Sequence, residues 1–403
     1  SGGRVSSVIA NVAELLEVDV GALLGRPLED VIESLELDLT GSWFMRSGQT
    51  YRLRRFRDVE QGDVFVEVEP THEPPLDAAR VLSRASDHLR AARNLTELSD
   101  RIASVVRDVT GFDRVRVYRF DESYNGTVVA EDRMEGIDSF HGLTFPASDI
   151  PAQARALYLK NWVRSIADVD AVPVSIVGVE GAQAPDLSMS QIRSVSPVHL
   201  EYLRNMKVAA SMSLSIVIDG ALWGLIACHH LSQRRITPDR RGVAELMARM
   251  MSLEVGHRRA QDEQAKAQQV ARFRRDIQEY AQHADRFTDV FTHSGPAIMG
   301  LTGAKGACVA IGDDILTVGG TPDRSHLKEL VQTLRLRGGD PVLATDDSAR
   351  ALGLPGLGPE AAGLLCCPLS ADGRDLVIWF RPARHRTTVW AGNPKEKVSK
   401  DEA

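Results

Sequence analysis

The sequence predicts a multidomain α+β protein: three α/β domains, each an antiparallel sheet with helices, joined by a long helix. Three observations predict it. Strand-like runs come in pairs across short turns in three separate stretches. A proline-rich boundary, THEPPLDAAR at 71–80, separates the first pair from the rest of the chain. A helical segment runs from 237 to about 290, and beyond it the strand-pair pattern begins again. With 403 residues there is room for two or three domains of ordinary size.

In chain order, residues 1–75 read first as a small α/β unit. Positions 6–35 look helical in pieces, SSVIANVAELLEV and then VGALLGRPLEDVIESL; YRLRRFR and DVFVEVEP alternate like the strands of a hairpin across Gly62-Asp63. Asp77 stands where it caps the helix after the boundary. Spaced Leu, Ile and Val over 80–108 predict a helix or two, and DRVRVYRFDESYNGTVVAEDR predicts strands at 114–120 and 126–132, with Asn125-Gly126 in the turn. Residues 166–190, rich in Pro, Gly, Asp and Ser, read as loop. PVHLEYLRNMKV at 197–208 has helical spacing, and SMSLSIVIDG and ALWGLIACHH are strands joined across Asp219-Gly220. Thr237-Pro238-Asp239 starts the long helix. Along it, Val243, Leu246, Met247 and Met250 form an apolar stripe, and Val270, Phe273, Ile277 and Tyr280 form a second with the 3-4-3 spacing of a helix seam. Past 291, GACVAIGDDILTVGG is a strand pair, HLKELVQTLRL a helix, and AAGLLCCPLS and DLVIWFRP are strands, which repeats the organisation of the middle of the chain. The tail NPKEKVSKDEA is charged and closes no fold.

Composition narrows the function. The chain is 43% hydrophobic and 26% charged, enough apolar material for several cores. A net charge of −7 argues against a broad nucleic-acid footprint. No run of 18 uncharged apolar residues predicts a membrane span, and SGGRVSSVIANV lacks a signal-peptide pattern. Four cysteines, with Cys366 and Cys367 adjacent, make no disulfide framework, so a reducing, cytoplasmic compartment is expected.

Four stretches carry candidate chemistry. In SMSLSIVI, Ser211, Ser213 and Ser215 share one strand face and Met212, Leu214 and Ile216 the other. The neighbouring ALWGLIAC is apolar on both faces, so the sheet is expected to be covered on both sides, and the serine face is either a polar pocket or an ordinary solvated face. His229 and His230 alternate faces, so at most one enters any pocket and adjacent metal ligation is disfavoured. His199 and Tyr202, three apart, lie on neighbouring parts of one helical face, with Arg193 upstream. In FPASDIPAQARALY, two prolines stiffen the loop around Asp149; Ser148 or Asp149 is expected to cap the following helix with Pro151 in its first turn, and downstream, on either side of Tyr158, Arg155 and Arg164 offer guanidiniums for ligand carboxylates. No G-x-S-x-G elbow, phosphate loop or G-x-G-x-x-G occurs, so an enzyme is not expected.

Taken together in this order, DRVRVYRFD, PASDIPAQARALY, RSVSPVHLEYLRNM and LWGLIACHH resemble the bilin-binding domain of phytochromes, most closely the bacterial phytochromes that hold biliverdin. The resemblance covers nearly the whole chain. It implies a PAS domain at 1–76, a bilin-binding GAF domain at 77–255, and a connecting helix with a PHY domain at 256–403, in which WAGNP at 390–394 is similar to the start of the PHY tongue. It implies a red/far-red photoreceptor whose light signal passes through tongue and long helix to an output domain or response regulator, and a homodimer along the long helices. In the implied site, Asp149 meets the pyrrole nitrogens through its carbonyl and the tongue through its carboxylate. His199 binds a water at the same pyrroles, and His229 binds the carbonyl of the rotating ring. Tyr118, Tyr158 and Tyr202 shape the pocket around that ring, and Arg164, Arg193, Ser211 and Ser213 hold the two propionates. The alternative is a GAF sensor that binds a bilin or another small ligand without photoconverting. The family's attachment cysteine lies upstream of the PAS domain, and no cysteine precedes Cys228 here; the tongue's Pro-Arg-x-Ser-Phe sequence is also missing, so the chain reads as a fragment or as a sequence with parts omitted, the alternative being a pigment held without a covalent bond. Lys207 stands where the family tends to have glycine.

Overall fold

The computed structural model describes residues 4–35, 43–57, 62–73, 76–337, 342–384 and 387–391. Most of the tail, including 392–394 of WAGNP, lies outside the described residues. The chain forms two compact units, one of residues 1–259 with 388–403 and one of residues 260–387.

The first unit opens with β1 (Ser7–Ile9), α1 (Val12–Leu16), α2 (Val20–Leu23) and α3 (Leu28–Ser34), followed by an antiparallel three-stranded sheet, β2 (Trp43–Arg46), β3 (Gln49–Arg57) and β4 (Val64–Thr71). Leu16, Leu23, Val31, Phe44 and Tyr51 form its core. The predicted helical start at 6–9 is instead a strand: Val8 and Ile9 are β-branched, and β1 finds a partner far along the chain.

The second sheet is built from α4 (Ala78–Arg90), α5 (Leu95–Thr110), β5 (Arg114–Phe120), β6 (Gly126–Arg133), β7 (Thr144–Phe145), α6 (Ala152–Lys160), β8 (Val163–Ile166), β9 (Ile176–Gly178), α7 (Pro197–Asn205), β10 (Ala210–Ile218), β11 (Ala221–His230) and α8 (Pro238–Ala281). Asp77 caps α4 as expected, accepting from Arg80 N at 3.0 Å. The strands run β7-β6-β5-β11-β10-β8 in one antiparallel sheet. One face, with Val115, Val117, Met212, Leu214, Ile226 and Cys228, packs on Ile102 and Val106 of α5 and on Met247 and Met251 of α8. Each such side chain, fully buried, contributes about 1.5–3 kcal/mol. Gly224 lets β11 lie against β5, because a Cβ there would stand 2.1 Å from the Tyr118 carbonyl oxygen. β9 sits within the predicted loop 166–190 and pairs with β1, Ser7 opposite Gly178.

On α8 the buried stripe is Val243, Ala244, Met247, Ala248, Met251 and Val255. Leu246, placed in the stripe by spacing, is 48% exposed. α8 stops at Ala281 rather than near 290, its last turn tightening to a bond from His283 N to Tyr280 O.

The second unit holds α9 (Phe287–His293), α10 (Gly295–Thr302), β12 (Gly306–Ile311), β13 (Asp314–Gly319), α11 (Arg324–Arg337), β14 (Leu343–Thr345), α12 (Ser348–Leu352), β15 (Gly363–Pro368) and β16 (Leu376–Arg381). Its sheet runs β13-β12-β16-β15-β14, which matches β6-β5-β11-β10-β8 strand for strand. Of the second predicted stripe, Phe273, Ile277 and Tyr280 are half-buried; Ile277 packs against the Phe291 and Ile298 core, and Val270 is exposed.

A buried polar network fixes the first unit from inside. Arg241 of α8 is 2% exposed and ion-pairs with Glu69 of β4. It also donates to Gln191 Oε1 at 3.1 Å and to the Ile236 carbonyl at 2.7 Å. Ser190 donates to Glu67 of β4 at 2.5 Å, and Asn161 holds the carbonyls of Ser188 and Ser190. The segment that leads into Arg193 is thereby tied to both β4 and α8. Removing one member of a buried pair leaves an uncompensated charge. Arg241→Met is therefore expected to lower the stability of the chain by about 3–5 kcal/mol in urea unfolding, and Glu69→Leu in the same chain to restore most of it. A loss below about 1 kcal/mol for the single variant would show that the pair is solvated.

Candidate functional site

The second face of the six-stranded sheet is also covered, and it is polar. Register sets its rows. Arg164, Ser213, Ala227 and Arg116 stand side by side on β8, β10, β11 and β5, and Ile166, Ser211, His229 and Arg114 form the next row. The cover is the loop around residues 146–151, α6 and α7. Ser215, the third serine of the face, donates to the Tyr158 carbonyl at 2.7 Å and fastens α6 to the sheet. The serine face is thus a walled site and not a solvated one. Between sheet and cover lies a cavity of about 60 Å³. Tyr118, Tyr158, Ser211, Ser213 and His229 line it, and Asp149, His199 and Tyr202 close it from the cover.

Arg164 and Arg193 do not line this cavity. Arg164 is in register with Ser213 and its guanidinium lies 5.3 Å from the Tyr158 ring centre. Arg193 lines a second, larger cavity of about 1370 Å³ between the N-terminal segment and the β8–α7 connection. Arg193 still feels Arg164: burial, then the charge of Arg164, lowers its pKa. The buried Nη2 of Arg193 has no hydrogen-bond partner among the described residues.

The stiff loop works differently from its expected role. Neither Ser148 nor Asp149 caps α6; its N-cap is Pro151, with no side-chain cap bond, because residues 147–149 form a separate 3₁₀ turn. Arg155 is used on the loop itself, donating to the Ile150 carbonyl at 2.5 Å and lying over the Tyr124 ring at 4.3 Å. Asn125 accepts from Ala147 N at 3.2 Å. Asp149 is freed to face the cavity, where the Tyr202 and Ser148 hydroxyls donate to its carboxylate. Burial raises the pKa of this carboxyl, and those two bonds oppose the rise. The neighbouring strand residue Thr144 pairs with the far end of the chain: its N–H donates to Val389 O at 2.8 Å, and its carbonyl accepts from Ala391 N at 2.9 Å.

α7 brings His199 and Tyr202 to the cavity with their rings stacked at 6.2 Å and 17°. Lys207 follows the helix at φ 57° and so occupies the left-handed position that favours glycine. His199 and His229 both have lowered pKa values, by burial first, then by Arg164 for His199 and by Arg116 for His229, so both imidazoles are neutral at pH 7. His230 points to the other side, 2.8 Å from Asp113. Cys228 lies in the core, its thiol pushed up by burial. Among the described residues no three His, Cys, Asp or Glu side chains are grouped to hold a metal ion.

Sequence reasoning missed Arg116. It is 1% exposed, and its guanidinium reaches His229 at 3.1 Å. The alternation of RVRVYRF carried the signal, since it puts Arg114, Arg116 and Tyr118 on one face against Val115 and Val117.

The comparisons with known proteins identify the family that carries this fold. A family model described as GAF domain matches residues 94–255, and one described as Phytochrome region matches residues 270–403. The chain is 39% identical over 314 residues to cyanobacterial phytochrome B of Nostoc, a match covering 77% of this chain and 42% of that protein. It is 36% identical over 348 residues to a bacteriophytochrome of Xanthomonas campestris, covering 82% of this chain and 54% of that protein. The solved structure of the Stigmatella aurantiaca phytochrome photosensory core module superposes with a TM-score of 0.78 at 32% identity, covering 96% of this chain and 82% of that one. The chain belongs to the phytochrome family, the class of light receptors, and corresponds to its photosensory core. It spans about half the length of the curated relatives it matches.

The histidines give a pH dependence of known sign. A histidine whose folded pKa is lowered binds its proton in the unfolded chain first, so its contribution is intact above about pH 6.5 and is lost as pH falls below it. His229→Gln is expected to flatten the fall in urea stability of the ligand-free chain between pH 7.5 and 5.5, by up to about 1.4 kcal/mol per pH unit below the unfolded value. Parallel curves for variant and parent would mean that His229 titrates normally in the folded chain.

Proposed function

We propose that the chain receives red and far-red light through a bilin, biliverdin in the first place, held on the polar face of the six-stranded sheet. The observation that carries this reading is the donor set of that face. Burial, and then the charge of Arg164, lowers the pKa of Arg193, and one buried guanidinium nitrogen of Arg193 is unpartnered among the described residues. Neutral imidazoles and aromatic rings lie beyond them. A bilin, when bound, supplies visible absorption, an isomerisable double bond at its terminal ring, two carboxylates and a set of pyrrole nitrogens.

Each residue then has a physical task. Arg164 and Arg193 bind carboxylates, which relieves their mutual repulsion, and Ser211 and Ser213 add hydroxyls beside them. His199 and His229, neutral, offer one donor and one acceptor each. Tyr118, Tyr158 and Tyr202 pack around the terminal ring and exclude water. Asp149, its carboxyl raised toward neutrality, holds or releases a proton on the cavity wall and keeps Tyr202 in place. The cavity is small against the roughly 300–1,000 Å³ of a cofactor site, so binding draws the cover of α6, α7 and the 146–151 loop away from the sheet.

The same loop is the route outward. Thr144 lies five residues before Asp149 and is hydrogen-bonded to residues 389 and 391. A change in the partners of Asp149 reaches that segment directly, and we assign the two-state element to the tongue together with α8. The output belongs to a further domain or a response regulator, for which the greater length of the curated relatives leaves room. A second copy of the chain is the partner of α8: Leu246 and Leu253 are one heptad apart and 48% and 76% exposed, so this face, and not the buried Val243–Met247 face, makes the dimer. Leu246→Glu with Leu253→Glu is expected to give monomers in sedimentation velocity; unchanged dimers would place the interface elsewhere.

Absorption spectroscopy tests the light function. The chain mixed with biliverdin is expected to give a narrowed, red-shifted band that converts reversibly under red and far-red light. Asp149→Asn and His199→Ala are expected to keep the pigment and to lose most of its protonation or photoconversion. A pigment that forms and ignores light would make the chain a bilin sensor of another kind, and photoconversion equal to the parent in both variants would remove these two roles.

A further inference from the structure

Arg116 is a buried cation without a counter-charge. It is 1% exposed, and among the described residues no carboxylate pairs with it. Its Nη2 lies 3.1 Å from both ring nitrogens of His229; a neutral imidazole has one acceptor, so Nη2 makes one bond there. Its Nε and Nη1 are buried and have no hydrogen-bond partner among the described residues. The rings of Phe140, Tyr118 and Phe145 stand 4.8, 5.1 and 5.7 Å from the guanidinium carbon. They temper the charge but accept no conventional hydrogen bond from either free N–H. Buried donors left unmade are costly, and they are seldom left so unless something else supplies the acceptor. Arg116 lines the cavity, so the acceptor belongs to what the cavity holds.

Register identifies the kind of acceptor. Arg164 and Arg116 face the same side in one row, separated by three strand spacings, about 14 Å. Arg116 is therefore remote from the pair that takes carboxylates and sits instead with His229, at the aromatic end. We propose that Arg116 is a ligand-contacting residue whose free N–H donors bind a neutral carbonyl oxygen of the bound bilin, sharing that end of the cavity with His229. This rests on the bilin reading above. It adds that the ligand contact is made by a charged donor, and that His229 accepts from Arg116 rather than acting alone.

The test measures binding in the dark, by quenching of tryptophan fluorescence, for the parent, Arg116→Met and Arg116→Lys, each with biliverdin and with biliverdin dimethyl ester. The ester blocks the carboxylates and leaves the carbonyls. Arg116→Met is expected to weaken both ligands by roughly 10- to 100-fold, the range for a charged hydrogen bond, with Arg116→Lys between parent and Met. Thermal unfolding of the ligand-free Met variant is expected to be no lower than the parent's, because the substitution removes an unpaired buried charge. Equal dissociation constants for parent and Met variant overturn the contact. A loss seen with biliverdin and absent with the ester overturns the carbonyl assignment. A parent that binds neither ligand overturns this inference and the bilin reading together, whereas a parent that binds both with no difference in the variants overturns this inference alone.

Discussion

The site depends on one constraint: a sheet buried on both faces with polar side chains on one of them. β10 and β11 cannot leave Ser211, Ser213, Ser215 and His229 dry and unpaired, because buried donors and acceptors need partners. The apolar face is settled by ordinary packing against α5 and α8. The polar face needs a cover that brings hydrogen-bonding groups with it, and α6, α7 and the 146–151 loop do so. Ser215 satisfies the Tyr158 carbonyl, and Tyr202 satisfies Asp149. Among the described residues, donors of Arg116 and Arg193 remain unsatisfied, and the proposed ligand contacts rest on them.

Charge is arranged around this face with few counter-ions. Arg114 has Glu131 at 3.5 Å, but Arg116 has only a histidine. Burial first, and then the charges of Arg164 and Arg116, keeps His199 and His229 neutral, and burial raises the carboxyl of Asp149 on the same wall. Elsewhere in the unit, buried arginine is neutralised by direct pairing, as Arg241 is by Glu69. The contrast within one domain separates a structural arginine from a ligand-directed one better than burial does, since both are nearly inaccessible.

The matching strand orders of the two large sheets show one architecture put to two uses. In the sheet of the second unit the strands that correspond to β5, β10 and β11, namely β12, β15 and β16, carry Cys308, Cys366 and Ile378 into an aliphatic core, with no row of serines and arginines among them. Fold and the proposed binding are separable here, because the donor set on which the proposal rests lies in the side chains of one face.

The sequence by itself determined the periodic elements. Strand alternation in SMSLSIVI and RVRVYRF, the Asn125-Gly126 and Asp219-Gly220 turns and the Pro238 helix start are local signals, and local backbone preferences suffice to set them. Eight of the ten residues that the family resemblance singled out line one cavity. Tertiary structure decided the rest. β1 became a strand only by meeting β9, more than 160 residues away. Pro151 replaced Ser148 and Asp149 as the cap because the loop closed into its own 3₁₀ turn, and Arg155 was drawn to that loop's carbonyls. Leu246 came to the surface because α8 turns a different face to the sheet. Arg116 appears in the sequence as one more arginine in a basic strand; only the closing of the cover over its face makes it a buried cation with no carboxylate paired to it among the described residues.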